Sequence, residues 1–398
     1  MHVIIVYDFG FVNGGAAQVA IASALALKQD GNQVAYLCAV GPVDDRLQVC
    51  DKVVCTDQKD IGSDRNLLRK SVVGWWNRKA RRQLRMLLAG YTPDDTIVHF
   101  HGWSKALSPS VLDIPRQMGF ASCITLHDYF IVCPNGGLFN YQTNTTCPLQ
   151  PMSMACLRCH CDRDSYANKL WRYVRNTIQE KQLRLSDKHA LIAISDTCAH
   201  EIRRLVPQGH FGLSRISNPI VFPSVSRADS DQADCYLYMG RLSKEKGPAL
   251  FCQAVTALGL KGVVLGDGPM KEALSAKYQN IEFAGWVTDA GKNCFLRRCR
   301  ALIFPSVLTE TFGMSVAEML AVGIPCIVGT GTAASELIED GRNGVLFEAG
   351  NLESLKAAIR RFEANYDDIR GFSFPTEVYS MTRHVKELTH FYKRLLMQ

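Results

Sequence analysis

Two carboxylates, Glu310 and Glu318, stand with seven residues between them in Thr309-Glu310-Thr311-Phe312-Gly313-Met314-Ser315-Val316-Ala317-Glu318. Upstream, Ala301-Leu302-Ile303-Phe304 is a short apolar run closed by Pro305 and Ser306, the pattern of a buried parallel strand. Downstream, Phe312, Val316, Met319 and Leu320 recur at helical spacing until Gly323 and Pro325 stop them. The order strand, loop, helix leaves the free amides of Gly313, Met314 and Ser315 at a helix N-terminus. Orphan N–H groups and the helix dipole both favour an anion there, and a phosphate fits. Glu310 would face whatever the phosphate carries, and Glu318, about two turns into the helix, would accept hydroxyl protons from a ribose. An anion site flanked by two hydroxyl-binding carboxylates suits a nucleotide sugar. Two glutamates on a solvated helix face are the plain alternative.

The words around this pair narrow the reading. Gly323-Ile324-Pro325, Ser335-Glu336-Leu337-Ile338 and Asp340-Gly341-Arg342-Asn343-Gly344 follow in that order. Together with Glu-x7-Glu after a strand, they resemble the donor half of glycosyltransferase family 4. The resemblance implies a GT-B fold: two Rossmann-like, doubly wound parallel-sheet domains facing a cleft. It also implies transfer from a nucleoside diphosphate sugar with retention of anomeric configuration, and donor contacts from Thr311, Phe312, Gly313, Met314 and Glu318.

A second word, Gly240-Arg241-Leu242-Ser243-Lys244-Glu245-Lys246-Gly247, ends the apolar run 236–239, with Pro248 suited to a first helical position. Arg241 and Lys246 could converge there on a diphosphate, Lys244 being the blander choice of cation. They resemble the Arg and Lys that neutralise the leaving nucleotide in family 4, a task other transferases give to a divalent metal. With no Asp-x-Asp clamp in a convincing place, catalysis is expected to need no metal or other cofactor. Gly240, after the strand, and Trp286, expected near the nucleobase, complete the donor side.

Apolar runs at 2–7, 34–38, 52–55, 97–100, 123–126 and 191–194 alternate with helical patterns such as 17–29 and 186–189. A second series runs through 236–239, 263–265, 281–283, 301–304, 326–328 and 345–347. Such alternation predicts an α/β chain of two doubly wound sheets, with ligands at the carboxyl ends of the strands. We place the first domain at 1–220, a Ser-, Asp- and Pro-rich linker at 222–234, the second domain at 221–375, and a final helix at 376–398 that crosses back to the first. Gly14 and Gly15 follow the first strand, where a tight turn explains them as well as a bound group does. His99, His101 and His127 close strands on one predicted edge. By the resemblance, His127 touches the transferred sugar and joins Glu310, Arg241 and Lys246 as catalytic, while Gly14, Gly15, His99 and His101 shape the acceptor side. Ser195 matches a family position near the cleft, and a helix cap explains it equally.

Two stretches stand apart. Between about 130 and 165 the chain carries Cys133, Cys147, Cys156, Cys159 and Cys161. Cys156-x-x-Cys159 with Cys133 and Cys147 could close a tetrahedral zinc site that staples the insert, with His160 or Cys161 as substitutes. Reduced thiols or an iron–sulfur cluster are the other readings. Residues 72–88 combine Trp75, Trp76 and five Lys or Arg with an apolar line at helical period, either a basic helix lying on an anionic leaflet or a face packed on the sheet.

At 398 residues, 47% hydrophobic and 21% charged, the chain has room for two globular cores. No apolar run is long enough to span a membrane, and fifteen cysteines without an export signal point to a reducing cytoplasm. The net charge of +7 favours anionic partners, and no nucleic-acid recognition module accompanies it. The expected function is a retaining hexosyltransferase acting on a glycan or lipid-linked acceptor in bacterial surface polysaccharide or lipopolysaccharide synthesis, cytoplasmic and peripheral on the inner face of the plasma membrane. A sugar-nucleotide epimerase of the same fold and a non-catalytic GT-B binding subunit are the alternatives.

Overall fold

Strand-forming runs and helical patterns alternate along the chain, and each run becomes one strand of a parallel sheet. In the computed structural model, which describes all residues except 64–66, 184–188, 207–211, 222–232, 288 and 398, the chain divides into two units. The first comprises Met1–Leu138, Pro148–Pro219 and Tyr379–Gln398; the second comprises Phe139–Cys147 and Ile220–Val378. Residues 186–188 of the expected helical pattern at 186–189 and most of the expected linker at 222–234 lie outside the described residues, and His189 begins a strand instead.

The first unit holds β1 (His2–Val6), β2 (Gln33–Cys38), β3 (Lys52–Cys55), β4 (Thr96–Phe100) and β5 (Ala121–Thr125). A short antiparallel hairpin, β6 (Phe139–Asn140) and β7 (Thr145–Thr146), follows in the chain and groups with the second unit. The first sheet ends with β8 (His189–Ala193) and β9 (Gly212–Arg215). Its seven strands run parallel in the order 3-2-1-4-5-8-9, so the order reverses between β1 and β4. Both faces are covered, which is why strands such as β1 and β4 are buried without alternation. The helix Met381–Leu396, near the end of the sequence, belongs to this unit: Val385, Leu388, Tyr392 and Leu395 pack in one core with Ala20, Ile21 and Ala24 of the helix Gly15–Gln29.

The second unit holds β10 (Cys235–Met239), β11 (Lys261–Leu265), β12 (Ile281–Gly285), β13 (Cys299–Phe304), β14 (Cys326–Gly329) and β15 (Gly344–Phe347). All are parallel, in the order 12-11-10-13-14-15, reversing between β10 and β13. In open sheets of this kind ligands gather outside the carboxyl ends of the strands at the reversal. The loops that leave β10 and β13 are those of Lys246 and Glu310.

Residues 72–88 are two helices rather than one, Leu67–Trp75 and Arg78–Leu88. Asn77 breaks the run and caps the second helix, its Oδ1 accepting from Ala80 N at 3.0 Å while its amide nitrogen donates to Gln58 and Ala106. Ala80, Leu84, Leu87 and Leu88 are buried in the core, so the apolar line faces protein. The tryptophans have partners within the protein: Trp75 stacks on Trp171 and donates to its carbonyl, and Trp76 lies under Arg81. No helix among the described residues is long and apolar enough to cross a membrane.

Candidate functional site

The loop after β10 is fixed by groups the sequence places at its root. Tyr238, buried in the strand, donates its hydroxyl to the Arg241 carbonyl at 2.8 Å. Gly247 has φ +68°, and a Cβ there would lie 2.2 Å from the Pro305 carbonyl oxygen, so only glycine lets this loop rest on the end of β13. Val307 N donates to Glu245 O at 3.0 Å and completes the junction. The two loops are thus one unit of backbone.

That junction sets the charged pair. Lys246 Nζ donates to both oxygens of Glu310, at 2.6 and 2.8 Å, and both side chains are partly buried. Ser306, buried at the end of β13, places its hydroxyl 2.7 Å from Glu310 Oε1 and 3.2 Å from the Glu245 carbonyl. Sequence reasoning missed this serine as a functional residue; the signal was a polar residue directly after a buried strand. The helix Met314–Ala321 starts at Gly313, whose missing Cβ leaves room for Ala334, 2.5 Å from where that atom would stand. Thr311 and Phe312 are buried in the turn before it. Glu318 is buried, with Lys292 Nζ 3.6 Å away. Arg241 is exposed on the loop that carries Lys246, and Gly240 opens that loop. Trp286 is 69% exposed after β12, a large apolar surface left to solvent.

In the first unit, the carboxyl ends of β4 and β5 border a small recess lined by His101, Trp103, Thr125, His127, Asp128 and Phe130 among others. His101 Nδ1 and His127 Nε2 are 2.9 Å apart, and His101 Nε2 is buried without a hydrogen-bond partner. Behind them, His99 bonds to Tyr392 OH at 2.6 Å and to Thr125 Oγ1 at 2.7 Å. Burial, reinforced by neighbouring histidines, holds His99 and His101 well below the usual imidazole range and pulls His127 down to about 3. The recess is therefore neutral at pH 7 on its histidine side. Asp8, at the end of β1, accepts the amides of Lys105, Ala106 and Leu107 at 2.8–2.9 Å. Arg175, on the helix Tyr166–Leu183, lies with its guanidinium 4.9 Å from the centre of the Phe130 ring. Neither was anticipated, because each acts on residues distant in sequence. Gly14 caps the helix Gly15–Gln29, and a Cβ there would meet nothing within 4 Å; its φ of +154° is what selects glycine. Ser195 is a helix cap, accepting from Cys198 N at 2.9 Å.

None of the fifteen cysteines is in a disulfide. Among the described residues no three His, Cys, Asp or Glu side chains come together as a metal site, so the set Cys133, Cys147, Cys156 and Cys159 is not assembled as a zinc cage. A different cation already lies among the thiols. Lys169 Nζ is 3.2 Å from the sulfurs of both Cys156 and Cys161.

Residues 233–365 match the Glyco_trans_1_4 family, described as Glycosyl transferases group 1. The chain is 28% identical to the O-antigen chain mannosyltransferase C of Escherichia coli over 33% of its own length and 37% of that protein's. It spans about a third of the length of the curated relatives first matched. Among solved structures, sucrose-phosphate synthase from Thermosynechococcus elongatus superposes with TM-score 0.73 at 16% identity, covering 100% of this chain and 99% of that one. Anabaena Alr3699/HepE in complex with UDP-glucose gives TM-score 0.68 at 13% identity, covering 99% and 100%. The fold is GT-B, with two Rossmann-like parallel-sheet domains, and the similarity to group 1 glycosyl transferases lies within the second unit.

Proposed function

We propose that this protein transfers a sugar from a nucleoside diphosphate sugar to a glycan or lipid-linked acceptor, with retention of anomeric configuration, in the synthesis of a surface polysaccharide or lipopolysaccharide. The observation that carries the reading is the Lys246–Glu310 pair at the reversal of the second sheet, next to a helix N-terminus. The diphosphate of the donor gives the Lys246 ammonium a second anion. Glu310, released in part from the lysine and still held by Ser306, takes the sugar hydroxyls and positions the anomeric carbon. Arg241, Lys246 and the amides of Gly313, Met314 and Ser315 offset the charge that develops on the departing diphosphate, the largest contribution such a site offers. In this reaction no step calls on a metal ion, and Glu318 fixes the ribose. His127 and His101, neutral and hydrogen-bonded, recognise sugar hydroxyls on the first unit.

The group 1 domain match, the O-antigen mannosyltransferase relative and the UDP-glucose complex of a structural neighbour support this reading. A lipid-linked acceptor is consistent with Arg78, Lys79, Arg82 and Arg85, which are exposed along one helix and suit an anionic leaflet by charge alone. The test is a thermal-shift panel of UDP-, GDP- and dTDP-sugars followed by transfer assays with the stabilising donor. Glu310→Gln is expected to bind that donor and lose transfer; transfer unchanged in this variant, to every acceptor tried, would sink the proposal.

A further inference from the structure

Lys169 is fully buried in the first turn of the helix Tyr166–Leu183. A buried ammonium needs compensation for the water it has lost, and the hydrogen bonds its Nζ makes go to two sulfurs, Cys156 and Cys161, each at 3.2 Å. The two sulfurs are 5% and 4% exposed as residues, so the group is a closed nest. Cys161 is the more firmly held of the two. Asn135 Nδ2 donates to its carbonyl at 2.7 Å and to its sulfur at 3.1 Å, whereas Cys156 sits on a five-residue helix. Fixed proximity of the amine and the thiol favours a bond between them once an oxidant as small as dioxygen enters the nest.

The geometry points to an oxidative cross-link in which dioxygen joins Lys169 Nζ to the Cys161 sulfur through one bridging oxygen. The O=O bond breaks, N–O and O–S bonds form, and the S–H and N–H bonds are lost. The second oxygen leaves as water with two hydrogens, and the ammonium's third proton goes to solvent. Nitrogen and sulfur give up two electrons each, and dioxygen takes all four. The bridge ties the cysteine-rich segment to the helix whose Asn176 and Gln179 hold the Phe130 carbonyl at 3.1 and 2.7 Å, and so fixes the wall behind the recess.

The experiment digests the full-length protein after exposure to air and after anaerobic incubation with a thiol reductant, and reads cross-linked peptides by mass. The expected species joins the peptides of Cys161 and Lys169 with a mass gain of one oxygen less two hydrogens, in the aerated sample alone. It persists in Cys156→Ser and vanishes in Cys161→Ser. Lys169→Arg keeps the buried charge and removes the bridge, and Cys161→Ser gives the same reading should that variant fail to fold. A Cys156–Cys161 disulfide, sulfinic acid without a link, no modification, or a link that survives in Cys161→Ser each overturns the proposal.

Discussion

The two sheets present opposite chemistries at the same topological place. At the carboxyl end of the first, histidines are desolvated, neutral and bonded to one another or to hydroxyls; at that of the second, a lysine and a glutamate meet as a charged pair. On the proposed reading, the first end would discriminate among sugar hydroxyls by hydrogen-bond geometry, and the second would exchange one ionic partner for another. The backbone is arranged differently at the two ends: in the second unit the close approach of Gly247 to Pro305 joins two loops, while in the first the Asp8 carboxylate holds the loop after β4 through the amides of Lys105, Ala106 and Leu107.

The largest effect that would break this contrast is at Glu310. Glu310→Gln keeps the shape and removes the charge, and transfer should fall about 10²- to 10³-fold with donor binding retained, as for loss of one preorganised charge-stabilising group; rate against donor concentration checks it. Next is Gly247→Ala, which puts a methyl into the Pro305 carbonyl at a left-handed φ. We expect a loss of roughly 2–4 kcal/mol of stability, read as a lower denaturation midpoint, with transfer impaired in the protein that remains folded.

The first unit answers to pH instead. His99, His101, His127 and His384 stay neutral in the fold, His127 down to about 3 and His384 to about 4, whereas an unfolded histidine takes its proton near 6.5. The unfolded chain therefore binds more protons at these histidines across that window, and their contribution to stability falls as pH drops from about 6.5 towards 4, offset in part by Asp128, whose carboxyl burial pushes up to about 6. A melting temperature that stays level from pH 7 to 4.5 would contradict this. The smallest effect sharpens the second site: Ser306→Ala removes one hydrogen bond to Glu310 and should lower kcat by about tenfold with KM little changed, a loss of roughly 1–1.5 kcal/mol. Equal changes in both constants would assign Ser306 to binding rather than to positioning.

The sequence made much of this legible where one residue sufficed to signal a role. Strand 301–304, Gly313 and the helix behind it are local features, and periodicity and turn chemistry reveal them. So were the two doubly wound sheets, because every parallel strand is a short apolar run. Ser306, Asp8, Arg175 and Lys169 escaped because their partners lie far along the chain or are carbonyls and sulfurs with no pattern of their own. At 72–88 the apolar period was real and its face packs on the core, but the break at Asn77 stayed hidden because its partners at Gln58 and Ala106 are supplied only by folding. Spacing alone also suggested a metal for the cysteines, since a lysine thirteen residues beyond Cys156 leaves no mark in a Cys-x-x-Cys word.

The helix Met381–Leu396 supplies Tyr392 to His99 and His384 to Ser23 and to the Ser217 carbonyl. The interior of the first unit therefore closes over a helix that follows the whole second unit along the chain, while the second unit has all of its strands before that helix. A protein cut off before Met381 should hold a first unit that proteases cut and a second unit that resists them.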